Sequence, residues 1–312
     1  MTSYSLDSYI VTPAELNSAL RKNVHSKLST APRIVPLCAS WFLPNDPAER
    51  TGESTFLAAR IPRARFFDLD AVKDPTSPYP HMLPSPKDFA ASLGRLGIRK
   101  DDAVVVYDTS ELGIFSAPRV GWTLKVFGHP DVHLLNNFRL WVEQGYPVES
   151  DEPQPVDPVQ YPIPELDVSK VASFEEVKSI VKEQGKEGAE EVQILDARSP
   201  KRWEGRDPEP REGLSSGHIP HSRNIPVSDL LDPVTKALLP AEQLKAYFEG
   251  KGVDVSKPII SSCGTGVTAA VIDAALTEAG YPELSRRLYD GSWTEWAQRV
   301  RPEENLIVKF AD

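Results

Sequence analysis

The chain runs twice through the same programme of secondary structure, and this repeat restricts its fold more than any other feature. "TPAELNSAL" (12–20) parallels "ASFEEVKSI" (172–180), each a capping residue followed by an amphipathic helix. "RIVPLCASW" (33–41) parallels "VQILDARSP" (192–200), a short buried strand and then a loop. "ARIPRARFFDLD" (59–70) parallels "GHIPHSRNIPVSDL" (217–230), "DDAVVVYDTS" (101–110) parallels "SKPIISSCGT" (256–265), and "HLLNNFRLWVEQGYP" parallels "RLYDGSWTEWAQRV". The order is helix, strand, loop, strand, helix, strand, helix, strand, helix. Strands alternating with helices make a parallel sheet covered on both faces, so two copies in tandem predict two similar α/β domains. Between them "DEPQPVDPVQYPIPELD" (151–167) is rich in proline and acid, lacks periodicity and reads as a linker. The expected domains are therefore 1–150 and 168–312.

Charge and composition narrow the class. A net charge of −10 with scattered basic residues argues against direct nucleic-acid binding. No apolar run approaches the roughly 20 residues of a membrane span. Two cysteines, Cys38 and Cys263, make no disulfide framework, which fits a reducing compartment. The N-terminal "MTSYSLDSYIVTPAELNSALRKN" lacks the apolar core of a secretory signal, and Asp7 and Glu15 argue against a transit peptide. A cytoplasmic protein is expected, with mitochondrial entry left open.

The copies differ at one place. Aligned on their apolar strands, Cys263 of the second falls opposite Asp108 of the first. In "IISSCGTGVTAAVIDAAL" (259–276) the cysteine follows a short strand and leads, through Gly264 and Gly266, into a good helix former. It would lie at the carboxyl edge of a parallel sheet, where such sheets bind ligands. Glycines permit φ > 0 and let successive amides point inward, and that nest with the helix dipole stabilises an anion. The anion could be a thiolate, a persulfide or a departing group; the alternative is a small buried residue at a strand end. A phosphatase loop would carry an arginine six residues after the cysteine to clamp a phosphate, and this chain has Ala269 there.

"CGTGVT" resembles the six-residue active loop of the rhodanese superfamily. "DARSPKRWEGRDPEPREG", "SGHIPHSRNIP" and "LYDGSWTEW" resemble the catalytic domain of the mercaptopyruvate sulfurtransferases, and "FFDLDAVKDPTSPYPHMLP" and "SAPRVGW" their non-catalytic N-terminal domain. The resemblance implies two tandem rhodanese-like domains, each a parallel five-stranded sheet flanked by helices. It implies transfer of sulfur from 3-mercaptopyruvate to thioredoxin, another thiol or cyanide, through a Cys263 persulfide and with release of pyruvate. The amides of Gly264, Gly266, Val267 and Thr268 would hold the sulfur anion. Arg202 and Arg211, on a Pro/Gly-rich loop that should not form a regular helix, match the arginines that take the substrate carboxylate. His81 and Asp70 match residues that reach a hydroxyl of the cysteine loop, here Thr265; many relatives have serine at that point. Asp68 is set aside in favour of Asp70 on spacing.

Thiosulfate-preferring members carry basic residues directly after the cysteine, and Gly264 and Thr265 stand there instead. Two other functions use the same thiol: a thiosulfate:cyanide sulfurtransferase, and a carrier relaying sulfur for tRNA or cofactor thiolation. No organic cofactor and no metal site are expected, nor a membrane partner, and the chain is expected to be a monomer. Arg198 is expected to tie its loop to Asp196 or a carbonyl, His218 to shape a turn, Trp293 and Trp296 to pack the core or wall the cleft, and Cys38 to be buried. Arg206 receives no role.

Overall fold

Every strand pairing inside the two sheets is parallel. The computed structural model describes residues 6–23 and 31–310; the first five residues of the segment weighed as a targeting signal lie outside them. The described residues divide into two compact units. One draws on Met1–Asp74, Leu83–Leu166 and Pro233–Ala237, the other on Pro75–Met82, Asp167–Asp232 and Leu238–Asp312.

In the first unit the order is β1 (Ile10–Val11), α1 (Pro13–Lys22), β2 (Ile34–Cys38), α2 (Gly52–Ala58), β3 (Arg65–Phe66), α3 (Pro86–Arg95), β4 (Ala103–Tyr107), α4 (Ala117–Val126), β5 (Val132–Leu135) and α5 (Phe138–Glu143). The sheet order is β1-β5-β4-β2-β3. Every residue of β2 and β4 is buried, as strands covered on both faces require. Phe138 and Trp141 of α5 pack against Val105 and Tyr107 of β4 in one core cluster.

The second unit repeats this: β6 (Val171–Ala172), α6 (Phe174–Glu183), β7 (Gln193–Asp196), α7 (Pro200–Glu204), β8 (Arg223–Asn224), α8 (Ala241–Gly250), β9 (Ile259–Ser262), α9 (Ala269–Glu278), β10 (Arg286–Tyr289) and α10 (Ser292–Arg299), with sheet order β6-β10-β9-β7-β8. The two orders are the same when read strand for strand. The caps of α1 and α6 also correspond. Thr12 with Glu15, and Ser173 with Glu176, each form a reciprocal capping box. Trp293 and Trp296 are fully buried in the second core.

Two features differ from the expected programme. The segment between the second and third strands of each copy contains a short helix, α2 and α7, rather than loop alone. In α7, Pro200 occupies the first turn, where its missing N–H is not needed, and Gly205 ends the helix at φ +87°. The stretch 151–166 groups with the first unit. Its Tyr161 is buried, meets Phe89 edge-on and hydrogen-bonds His129 Nδ1 at 2.8 Å, and the Val159 amide donates to the Gly94 carbonyl.

At the carboxyl end of β4, Asp108 is fully buried. Its carboxylate accepts from the amides of Phe115, Ser116 and Ala117 and from the Ser116 hydroxyl, so the start of α4 is answered by a carboxylate of its own chain. Burial pushes the carboxyl up to about 6, against the lowering effect of these donors. Because the folded value lies above the unfolded one, this group's contribution to stability is present in full at low pH and is lost as pH rises through about 6. Asp108→Asn cannot ionise. It should lose a constant increment of hydrogen bonding, yet its deficit against the parent should shrink by up to about 3 kcal/mol from about pH 3 to 7. Urea unfolding at both ends of that range checks this, and a deficit that stays constant or grows with pH contradicts it.

Candidate active site

Cys263 directly follows β9, which lies between β7 and β10. The loop 263–268 then delivers the chain to α9, with Gly266 at φ +77° in the region that a side chain disfavours. The start of α10 pins the loop from below. The Cys263 amide donates to Ser292 Oγ at 3.1 Å, and the Ser292 hydroxyl donates to the Tyr289 carbonyl at 2.8 Å. The Cys263 and Gly264 carbonyls accept from the amides of Trp293 and Thr294, and the Thr294 hydroxyl adds a second bond to Gly264 at 2.8 Å. Above this floor, the amides of Gly264, Thr265, Val267 and Thr268 donate to no group among the described residues, whereas Gly266 has a partner. A loop that directs several unengaged N–H groups to the start of a helix is suited to hold negative charge.

Cys263 is 2% exposed, more enclosed than a reactive thiol was expected to be, and the loop reaches the surface at Gly264 and Thr268. Cys38 provides the contrast. It sits within β2 at 0% exposure, and burial pushes its thiol up to about 12.

Thr265 and His81 are both buried, and His81 Nδ1 lies 3.0 Å from Thr265 Oγ1. His81 belongs to the 75–82 segment of the second unit, and its φ of +63° marks a tight left-handed position. The imidazole and the loop hydroxyl thus lie together within one unit, whereas the sequence placed His81 in the first domain. Asp70 belongs to the first unit, where its carboxylate accepts from Trp41 Nε1 at 2.8 Å. Asp68, two residues earlier, accepts from the amides of Asp70 and Ala71 and closes that turn.

Arg202 lies on α7 rather than on irregular loop, for the reasons of capping given above. A Cβ added to Gly264 would come within 3.4 Å of a guanidinium nitrogen of Arg202, so this arginine borders the cysteine loop. Its fork is held by Glu209, whose carboxylate is nearly fully buried and also accepts from Arg198 at 2.9 Å. Arg198 in turn grips Asp196 with two nitrogens, donates to the Gly217 carbonyl and lies over the Trp293 ring at 4.3 Å. Burial opposes its charge, but Asp196 and Glu209 outweigh burial and hold the guanidinium above its usual range. A buried chain of alternating charge therefore leads from the end of β7 to the edge of the cysteine loop. Arg211 is half-buried on the irregular segment after α7.

His218 stacks on Trp203 at 3.9 Å, and its Nδ1 hydrogen-bonds the Trp203 carbonyl, which fits a shaping role. The only signal the sequence carried for Glu209 was its place between Pro208 and Pro210, on a segment with several arginines. Nothing in the sequence marked Ser292 as the group that fixes the Cys263 amide.

Residues 176–299 match the family described as Rhodanese-like domain. A protein of Schizosaccharomyces pombe named probable 3-mercaptopyruvate sulfurtransferase is 42% identical over 290 residues, covering 92% of this chain and 94% of the relative. The thiosulfate sulfurtransferase TUM1 of Saccharomyces cerevisiae is 44% identical over 285 residues, 87% of this chain and 90% of the relative. The crystal structure of the Tum1 protein from Saccharomyces cerevisiae superposes with a TM-score of 0.85 at 40% identity, covering 97% of this chain and 98% of that one. Among the described residues no helix is long and apolar enough to cross a membrane, and no cluster of three His, Cys, Asp or Glu side chains is placed to hold a metal.

The two thiols should separate sharply in reactivity. Brief treatment of the folded protein with iodoacetamide at about pH 7.5 should alkylate Cys263 at least about 100-fold faster than Cys38, since the thiolate is the nucleophile. Peptide mapping by mass spectrometry measures the ratio, and comparable labelling of both would contradict the assignment.

Proposed function

The chain belongs to the two-domain sulfurtransferases of the rhodanese superfamily, enzymes that include the 3-mercaptopyruvate sulfurtransferases, and from that premise we propose that it moves sulfur from 3-mercaptopyruvate to a thiol through a persulfide on Cys263. The observation that carries this reading is the cysteine loop itself, where one thiol is followed by unengaged amides with an anchored guanidinium beside them.

The Cys263 thiolate attacks the sulfur of mercaptopyruvate. An S–S bond forms as the C–S bond breaks, and the electron pair of that bond leaves on carbon as pyruvate enolate. The enolate takes a proton and departs as pyruvate, leaving Cys263–S–SH. A thiol such as thioredoxin then attacks the outer sulfur, carries it away as a persulfide and restores Cys263; cyanide would take it as thiocyanate. The amides of Gly264, Thr265, Val267 and Thr268 stabilise the sulfur anion in both half-reactions, as an oxyanion hole would. Arg202 binds the donor carboxylate with the guanidinium edge that Glu209 leaves open, and Arg211 is its partner in that role. Thr265 and His81 carry the proton to the enolate.

A second reading, with thiosulfate as donor, is favoured by the name of the TUM1 relative, which is as similar to this chain as the mercaptopyruvate relative. The ratio of kcat/KM for the two donors decides; a preference for thiosulfate would overturn the choice made here. Incubation with mercaptopyruvate alone should add one sulfur, about 32 Da by intact mass, as covalent catalysis demands. Cys263→Ser should show no gain, and an unmodified parent protein under single-turnover conditions would defeat the mechanism. Glu209→Gln should loosen Arg202 and raise KM for mercaptopyruvate about tenfold while changing kcat less than about threefold. A loss confined to kcat would show that Arg202 does not act in ground-state binding.

A further inference from the structure

The first unit contains a cavity of about 550 Å³ at the amino ends of β2 and β3, the edge opposite to the one that holds Asp108. Five of its lining residues are arginines: Arg33, Arg60, Arg63, Arg65 and Arg99. The acids among its lining residues are Glu149 and Asp157. This is a concentrated positive field in a chain whose net charge is −10, and clefts of one sign with low-dielectric walls focus that field on a counter-ion.

Three of the arginines are accounted for within the fold. Arg33 and Arg99 both pair with the buried Asp102. Arg60 donates to the carbonyls of Ser150 and Asp151 and approaches Glu149 at 3.9 Å. Arg63 and Arg65 differ. Neither forms an ion pair among the described residues, and Arg65, half-buried, has only the carbonyls of Leu96 and Arg63 as partners. Burial first, and then the nearby charges of Arg33 and Arg63, lower the Arg65 pKa from its usual value. Arg63 also occupies a left-handed backbone position, φ +62°, that glycine would take with less strain. Arg65 is thus held partly buried beside like charges with carbonyls alone as partners, while the neighbouring Arg63 is exposed and its backbone amide donates to the Glu149 carboxylate at 3.1 Å; an anion from outside the chain would relieve the crowding of charge at Arg65.

Apart from Gln154, the remaining lining residues are apolar, among them Ile34, Pro36, Ala64, Pro153, Pro155 and Val156. The volume falls in the range of pockets that enclose small organic ligands, far larger than a bare phosphate needs. We propose that this cavity binds a phosphate monoester, its phosphate taken by the forks of Arg63 and Arg65 and its ring or alkyl body laid against the proline and aliphatic wall. Guanidinium forks match phosphate oxygens bidentately. The site is independent of the cysteine loop and of the sulfur-transfer reading.

Isothermal titration of the full chain with phenyl phosphate, inorganic phosphate and phenol tests this at low ionic strength, where screening is least. Phenyl phosphate should bind saturably, inorganic phosphate at least about tenfold more weakly, and phenol not at all. The double variant Arg63→Gly, Arg65→Ala should lose at least about tenfold in affinity for phenyl phosphate, while Arg206→Ala, in the second unit, keeps it. Glycine suits the left-handed backbone at position 63, so Arg63→Gly alone, expected to lose about fivefold, serves if the double variant fails to fold. Absence of saturable heat at millimolar phenyl phosphate, equal affinity of parent and variants, equal affinity for inorganic phosphate, or binding of phenol would each overturn the proposal. Succinate binding as tightly as phenyl phosphate would also overturn it, by showing a general dianion site.

Discussion

The first amides of a helix that follows the central strand of a parallel sheet demand negative charge, and each unit answers that demand differently. In the first, Asp108 folds back on the start of α4 and takes the amides of Phe115, Ser116 and Ala117. In the second, the position holds Cys263, and the amides of Gly264, Thr265, Val267 and Thr268 remain open among the described residues. The lengths of the two connections follow from the occupant. Ala117 lies nine positions after Asp108, whereas Ala269 lies six positions after Cys263. The longer segment lets the chain wrap around its own carboxylate; the shorter one leaves amides of the cysteine loop unengaged among the described residues. One copy thereby satisfies its helix start from within, and the other leaves that demand unanswered by its own side chains.

How far this could be read from the sequence depends on how local the cause was. The capping boxes at Thr12 and Ser173, the buried strands β2, β4, β7 and β9, and the strand-to-helix turn at Cys263 were all legible, because each is written in adjacent residues. The pairing of His81 with Thr265 bridges 184 positions and came only from resemblance to a family. Helices α2 and α7 were missed because each is short and starts among residues that also favour turns; in α7 the proline at the first helical turn read as a breaker. Glu209 and Ser292 were not singled out because burial and partners, not residue type, give them their part. The stretch 151–166 reads as linker by composition, yet Tyr161 among its prolines finds an aromatic site next to Phe89 and His129.

Arginine serves three distinct ends in this chain. Arg198 is a buried strut, satisfied on every side by Asp196, Glu209, the Gly217 carbonyl and the face of Trp293. Arg202 is tethered at its fork by Glu209 yet 24% exposed at its side chain, which suits a group that must meet a ligand in a fixed orientation. Removing the middle of this series would affect both ends, since a buried cation left without its carboxylate is strongly destabilising. Arg63 and Arg65 are the third kind, without an ion-pair partner among the described residues.

The outermost strands of both sheets, β1, β3, β6 and β8, are two residues long each. An open sheet normally offers its rim as a template for another chain, and long flat rims invite fibrillar stacking. Rims this short give an incoming strand too few ladder bonds to hold it. The longer apolar strands β2, β4 and β9 lie inside the sheets, so the segments most prone to amyloid-like assembly are shielded for as long as their neighbours stay folded.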